Sequence, residues 1–288
     1  MSRISYVNGA FVPHTEAVVH IEDRGYQFAD GIYEVMAVHH GVMIDEEPHY
    51  NRLIRSLKGL QITLPLPIIS FKMIIHELLR RNRCKNGSIY IQVSRGVAKR
   101  NHEFPKGVRP SLVVVINPGP ARASMNASGV GTAISCPDIR WARRDIKSIS
   151  LLPNILAKQK AVEAGCTEAF LVDEKGIISE GSATNAYMVD AKGTIITHPA
   201  DERILGGITR DSVLKVARQG KMKVLERPFT LKEALAAKEL FITSTTKGVM
   251  PIVNLDKTTI GTGKCGEVTS QLRLLYDVYV TERLEAIA

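Results

Sequence analysis

The stretch D-I-K-S-I-S-L-L-P-N-I-L-A-K-Q-K-A, Asp145 to Ala161, sets one lysine apart from its neighbours. Lys158 and Lys160 fall in a segment that reads as a helix over 151–164, ended by Gly165, and look like ordinary solvated helix lysines. Lys147 precedes that helix, beside Ile146, in an extended lead-in. A lysine there is either a surface lysine or an amine held against a reactive partner. Imine formation needs the free amine, and an exposed lysine, with a pKa of about 10.4, is almost wholly protonated at neutral pH. Burial and neighbouring positive charge lower that value. Arg143 and Arg144 are close in sequence, but sequence does not show where they point.

N-terminal to this stretch the pattern is mixed. Asn8-Gly9 between Ile4–Val7 and Ala10–Val12 predicts a hairpin. Ile32–His39 and Val42–Ile44 flank a turn at Gly41. Leu53, Ile54, Leu57 and Leu60 share one face of a helix over 45–60, and Phe71, Ile74, Ile75, Leu78 and Leu79 mark a second helix after Pro65 and Pro67. Ser88–Arg95 and Leu112–Ile116 are rich in branched residues and read as strands. The segment N-P-G-P-A-R-A-S-M-N-A-S-G, Asn117 to Gly129, reads as a domain linker.

Beyond it come strands near 130–135, 169–172, 183–189, 194–197, 223–225 and 240–243. Helices are predicted over 208–219, stopped by Gly220, and over 268–286. Thr230-Leu-Lys-Glu233 is a capping box. The expected organisation is a mixed α and β chain of two domains. A smaller N-terminal α/β domain covers 1–118, a linker covers 119–129, and a larger C-terminal domain covers 130–288.

Composition narrows the function. With 44% hydrophobic and 23% charged residues the chain has a soluble globular profile. The net charge of +9 invites a nucleic-acid reading. However, the basic residues are scattered and lack the interleaved aromatics that stack bases, so no nucleic-acid partner is expected. No apolar run is long enough to span a bilayer, and the N-terminus lacks a signal-peptide core. The four cysteines, Cys84, Cys136, Cys166 and Cys265, have no metal spacing and suit free thiols of the cytoplasm.

Several stretches carry chemistry, each beside a plainer reading. In Ser179-Glu180-Gly-Ser-Ala-Thr-Asn185, Glu180 is a turn glutamate or a carboxylate at the mouth of a strand, able to hold a protonated ring nitrogen. In Leu205-Gly206-Gly207-Ile208-Thr209-Arg210 a glycine pair runs into a helix start. That is a flexible lead-in or a phosphate seat made of unpaired amides and a positive dipole end. Phe241-Ile-Thr-Ser-Thr-Thr246 puts four hydroxyls at a strand end. Gly261-Thr-Gly-Lys264-Cys265 lacks the glycine and hydroxyl residue of a phosphate loop and reads as a surface turn. Asp30 and Glu34, on a strand-like segment, lack the geometry of an acid pair.

Taken in order, a lysine before a helix, EGSxxN, GGITR and a TSTT strand end resemble the fold-type IV pyridoxal-phosphate enzymes. The resemblance extends to Glu22–Glu34 and to His49-Tyr-Asn-Arg52-Leu53. It implies a β-barrel-like C-terminal domain with helices and a bound pyridoxal 5′-phosphate. It implies that Lys147 forms a Schiff base with the cofactor and shuttles the proton, and that Glu180 partners the pyridine nitrogen. Arg52, the amides of Ile208 and Thr209, and the hydroxyls of Ser244 and Thr245 would hold the phosphate, while Leu205 packs against the ring. Alanine at position 183 lacks a hydroxyl to support ring or phosphate.

Within the family, Arg100-x-His102 after the strand 90–94 resembles the carboxylate trap of D-amino-acid aminotransferases, with Tyr33 completing it. The implied reaction moves the amino group of D-alanine and similar D-amino acids to 2-oxoglutarate or pyruvate. The implied assembly is a homodimer. An L-branched-chain aminotransferase, an amine transaminase and an aminodeoxychorismate lyase are the alternatives within the fold.

Overall fold

The computed structural model describes residues 3–120 and 129–285. Residues 121–128 of the expected linker and Ala286 of the expected last helix lie outside the described residues. The chain divides into two compact units. One holds residues 3–120 together with Ile146–Ser150, and the other holds residues 129–145 and 151–285. The short stretch around Lys147, expected in the C-terminal domain, therefore belongs to the first unit, because its packing and pairing partners lie there.

The first unit is built on an antiparallel six-stranded sheet in the order β2-β1-β6-β5-β3-β4. Its strands are β1 (Ile4–Val7), β2 (Ala10–Pro13), β3 (Gly31–His39), β4 (Val42–Met43), β5 (Gly87–Ser94) and β6 (Ser111–Pro118). The β1–β2 turn is Asn8-Gly9, both at positive φ (46° and 107°), the conformation such a two-residue hairpin requires. Helices α2 (Glu46–Gly59) and α3 (Ile68–Asn82) supply Tyr50, Leu53, Leu57, Phe71, Ile75 and Leu78, which pack in one core with Ile32, Met36 and Val38 of β3. Strand alternation then puts Tyr33 and Val35 on the other face. A short helix, α1 (Arg24–Phe28), capped by the Asp23 side chain, leads into β3.

Ile146 enters this same core. A Cβ on Gly59 would stand 2.8 Å from the Ile146 Cδ1, so glycine at the end of α2 leaves room for the segment.

The second unit is a mixed sheet of ten strands among the described residues. Its order is β12-β11-β10-β14-β15-β7-β8-β9-β13, with β16 (Thr258–Thr259) on β15. The strands are β7 (Gly131–Pro137), β8 (Glu168–Val172), β9 (Ile177–Gly181), β10 (Asn185–Val189), β11 (Ile195–Thr197), β12 (Val224–Glu226), β13 (Phe229–Thr230), β14 (Glu239–Ser244) and β15 (Gly248–Leu255). Pairs β7–β8, β7–β15 and β11–β12 are parallel. β9, eighth in the order, packs against β10, third in it, so the sheet curls round on itself. Phe170, Ile178, Met188, Leu240, Ile242 and Ile252 share its core.

Helices α4 (Leu152–Glu163), α5 (Ile208–Gln219), α6 (Leu231–Leu235) and α7 (Glu267–Glu285) complete the unit. The Thr230–Glu233 capping box opens α6 as its spacing predicts.

Several strands differ from the sequence pattern. Ser179 and Glu180, expected in a turn, close strand β9, and the strand expected from 183 begins at Asn185. Strand β15 was not expected at all. Pro251 lacks an amide for the ladder, and β15 tolerates it because pairing with β7 begins one residue later, at Ile252 opposite Gly131.

Candidate active site

On the first unit, Lys147 is held by its backbone. Its carbonyl accepts the Tyr33 amide at 3.0 Å, and its own amide donates to the Ser56 hydroxyl of α2 at 3.2 Å. Ser148 forms an antiparallel bridge with Ile32, and the Ile149 amide donates to the Gly31 carbonyl. The half-buried Lys147 side chain reaches to 4.1 Å (Nζ) from the centre of the Tyr33 ring, and that ring stacks on Tyr90 at 5.8 Å. Sequence-distant segments thus bring Lys147 and Tyr33 together.

Arg52 is buried on α2. Its Nε and a terminal nitrogen donate to the two oxygens of Glu34, at 2.9 and 2.5 Å. His49 Nδ1 lies 2.9 Å from the same carboxylate. Burial alone would raise Glu34, but Arg52 and His49 hold it far below the usual carboxylate range. Burial pushes His49 below its ordinary value, against the pull of Glu34. Asp30 is taken by Arg24 and Arg95 at 2.7–2.8 Å. The two carboxylates therefore serve separate arginines, in keeping with the absence of an acid pair between them.

Arg100 and His102 are exposed, and both lie on Phe28. The guanidinium stands 5.0 Å from its ring centre and the imidazole 5.6 Å. Their contacts are with Phe28 rather than with Tyr33 or Lys147. Phe104, in the same loop, lies under the Arg95 guanidinium at 3.6 Å. A cleft of about 810 Å³ lined by Tyr6, Thr63, Val97 and Arg109 contains none of the candidate residues.

On the second unit, Glu180 is buried at the end of β9. It accepts from Arg140, from the Asn185 amide nitrogen at 3.0 Å and from the Leu205 backbone amide at 3.2 Å. Asn185 also donates to the Leu205 carbonyl at 2.9 Å, so it ties Glu180 to the segment that precedes α5. Arg140 donates to both oxygens of Asp138, at 2.8 and 2.9 Å. Burial pushes the Glu180 carboxyl up, and Arg140 pulls against it. Burial would lower Arg140, but Glu180 and Asp138 hold it above its ordinary value.

Helix α5 begins at Ile208 after Gly206-Gly207, with no side-chain cap. A Cβ at Gly207 would come within 2.1 Å of the Asn185 Oδ1, so this close approach requires glycine. Ile208 and Thr209 are buried and Leu205 half-buried. Arg210, in the same motif, is structural: it is buried and bonds Glu226 and the His198 carbonyl. Ser244 ends β14 and Thr245 follows in the turn, both half-buried, and the Ser244 hydroxyl accepts the Lys247 amide at 3.2 Å. Thr184 gives its hydroxyl to Glu168 at 3.0 Å.

Glu34, Asp138, Arg140, Asn185 and His49, all in these networks, had no assigned role in the sequence. The acid-x-Arg spacing of Asp138 and Arg140 was the available signal for the second and third. Nothing in one sequence pairs Arg140 with a glutamate forty positions on.

The amino-transferase class IV family model matches residues 31–255, and the chain belongs to that family. It is 39% identical over 266 residues to the D-alanine aminotransferase of Bacillus licheniformis, covering 92% of this chain and 93% of that one. It is 37% identical over 279 residues to the D-alanine aminotransferase of Staphylococcus haemolyticus, covering 96% and 98%. Among solved structures, a T.th. branched-chain amino acid aminotransferase with pyridoxamine 5′-phosphate superposes with a TM-score of 0.89 at 27% identity, covering 98% of this chain and 95% of that one. The expected two-domain fold-type IV class agrees with these findings. Among the described residues no helix is long and apolar enough to cross a membrane.

Proposed function

We propose that this chain is a D-amino-acid transaminase. It transfers the amino group of D-alanine and related D-amino acids to 2-oxoglutarate or pyruvate with the aid of pyridoxal 5′-phosphate. The observation that carries the reading is the Lys147 amine, fixed by backbone bonds against Tyr33.

The residues fit the cofactor. Glu180 is a buried carboxylate with one strong cationic partner, and the first turn of α5 offers uncapped amides. Bound pyridoxal phosphate supplies an electron sink for the pair left when the substrate Cα loses its proton. Lys147 holds and moves that proton at Nζ. Glu180 keeps the ring nitrogen in its protonated form, and Leu205 packs against the ring. The Ile208 and Thr209 amides, the Ser244 and Thr245 hydroxyls and Arg52 hold the phosphate.

Arg100 and His102 of one subunit of a homodimer, with Tyr33 of the other, take the substrate α-carboxylate. Because Lys147 delivers its proton from one side, the side that holds the carboxylate decides the handedness of the product. The working form is a cytoplasmic homodimer. The likeness to two D-alanine aminotransferases over most of the chain supports the D-specific reading.

A second reading, an L-branched-chain aminotransferase, is favoured by the solved structure of that activity. The test is amination of 2-oxoglutarate by each enantiomer of alanine and leucine, and of pyruvate by each enantiomer of leucine, with chiral analysis of the products. Turnover of D-alanine is expected. Turnover of L-leucine without D-alanine overturns the D-specific reading. Borohydride should fix the cofactor to the peptide that holds Lys147, and labelling elsewhere overturns the assignment of the lysine.

A further inference from the structure

Arg140 is shared between two buried carboxylates, and the sharing is unequal. Its Nε and Nη2 both grip Asp138, at 2.9 and 2.8 Å, while Nη1 alone goes to Glu180. A planar guanidinium held at two of its nitrogens has no freedom left in the third, so the grip of Asp138 determines where Nη1 points. Asp138 is itself fixed. Its amide donates to the Val172 carbonyl at 2.8 Å, and its carboxylate accepts the Ser179 hydroxyl at 2.6 Å. Arg144 stands 3.5 Å from it. The Ser179 hydroxyl also accepts from Arg140 at 3.1 Å, closing a ring between the strand that carries Glu180 and the turn that carries Arg140. The Asp138 side chain is fully buried, and those of Arg140 and Glu180 are 7% and 6% exposed.

We propose that Asp138 is a positioning residue for Glu180: acting through Arg140, it aims the guanidinium and takes up part of its charge, so that Glu180 retains enough negative field to hold a proton on the cofactor ring nitrogen. The proposal rests on the functional reading above. The charged groups facing the pair are Arg140, which bridges the two carboxylates, and Arg144, which stands beside Asp138. With Asp138 neutral, the whole of Arg140 falls to Glu180, and the site loses one negative charge. The proton on the ring nitrogen is then held less firmly and leaves at lower pH.

The test uses the holoenzyme loaded with pyridoxal phosphate labelled with nitrogen-15 in the ring, with the protonation of that nitrogen followed by NMR across pH. Asp138→Asn, nearly isosteric, should lower the midpoint by about one pH unit. It should reduce kcat about tenfold while changing KM for D-alanine less than about threefold. Asp138→Glu, which keeps the charge, should restore the wild-type midpoint. In a Glu180→Gln background, Asp138→Asn should change kcat by less than about twofold, because its route of action is gone. Should Asp138→Asn fail to fold, Ser179→Ala weakens the same link and should shift the midpoint in the same direction by less. A wild-type pH profile in the folded variant, or an undiminished effect in the Glu180→Gln background, overturns the proposal. A protein that takes up no pyridoxal phosphate overturns the functional reading, and this one with it.

Discussion

The Nζ of Lys147 lies 4.1 Å from the centre of the Tyr33 ring, and the backbone carbonyl of the same lysine accepts the Tyr33 amide at 3.0 Å. One residue therefore fixes the other twice, by main chain and by ring. Replacing Tyr33 with Phe keeps both fixings and removes only the hydroxyl. We expect Tyr33→Phe to leave borohydride labelling of Lys147 unchanged while raising KM for D-alanine. Tyr33→Ala removes the ring, worth roughly 0.5–2 kcal/mol to a cation over it, and should slow labelling as well. Equal labelling rates in the two variants would show that the ring does not orient the amine.

Lys147→Ala should cost turnover orders of magnitude and little stability. The contacts that seat the segment are made by its backbone, by Ile146 in the core and by the Ile32–Ser148 bridge. Thermal melting should stay near wild type, and the variant should still take up the cofactor. Near-normal transamination by this variant is the result that removes Lys147 from the mechanism.

Glu34, His49 and Arg52 form a buried charged group whose stability depends on pH. Glu34 is depressed, so its contribution is present above the unfolded carboxylate value of about 4.3 and is lost as pH falls. His49 is also depressed, so the unfolded chain binds its proton more readily, and stability falls as pH drops below about 6.5. The urea midpoint should decline from pH 7 to 5, and His49→Asn should flatten that decline. Glu34→Gln leaves Arg52 with a weakened partner and should cost about 3–5 kcal/mol at pH 7. A midpoint that does not change between pH 7 and 5 contradicts the account of His49.

Gly207 stands at φ −73°, a conformation any residue adopts, so its requirement is steric. Gly207→Ala should push Asn185 away from Glu180 and Leu205 and weaken cofactor retention, measured by dialysis and absorbance. In an Asn185→Ala background the added methyl meets no side-chain oxygen, and its penalty should largely vanish. Additive effects of the two changes would show that the clash lies elsewhere.

Phe28 carries both Arg100 and His102. Arg100→Ala and His102→Ala should raise KM for D-alanine without loss of bound cofactor. Phe28→Ala should reproduce part of that rise, since it removes the ring on which both rest. Steady-state kinetics with matched cofactor content decide it, and an unchanged KM in Arg100→Ala excludes that residue from carboxylate binding.

Local signals in the sequence determined most of the elements. Asn8-Gly9 dictates its hairpin, the Thr230–Glu233 spacing its cap, and the run 208–219 with Gly220 its helix, because each depends on residues within a few positions of one another. The order of motifs around Lys147, Glu180 and Gly207 likewise carried the family. Tertiary structure alone decided the rest. It placed Lys147 with the first unit through a bridge to Ile32, over a hundred residues upstream, and laid Arg52 on Glu34. It set Arg140 between Asp138 and Glu180, and paired Pro251's strand on two sides. These are encounters between segments distant in the chain. Their partners are selected by ladder pairing and by burial, which requires every enclosed charge to find its counterpart, and neither leaves a periodic mark in the sequence.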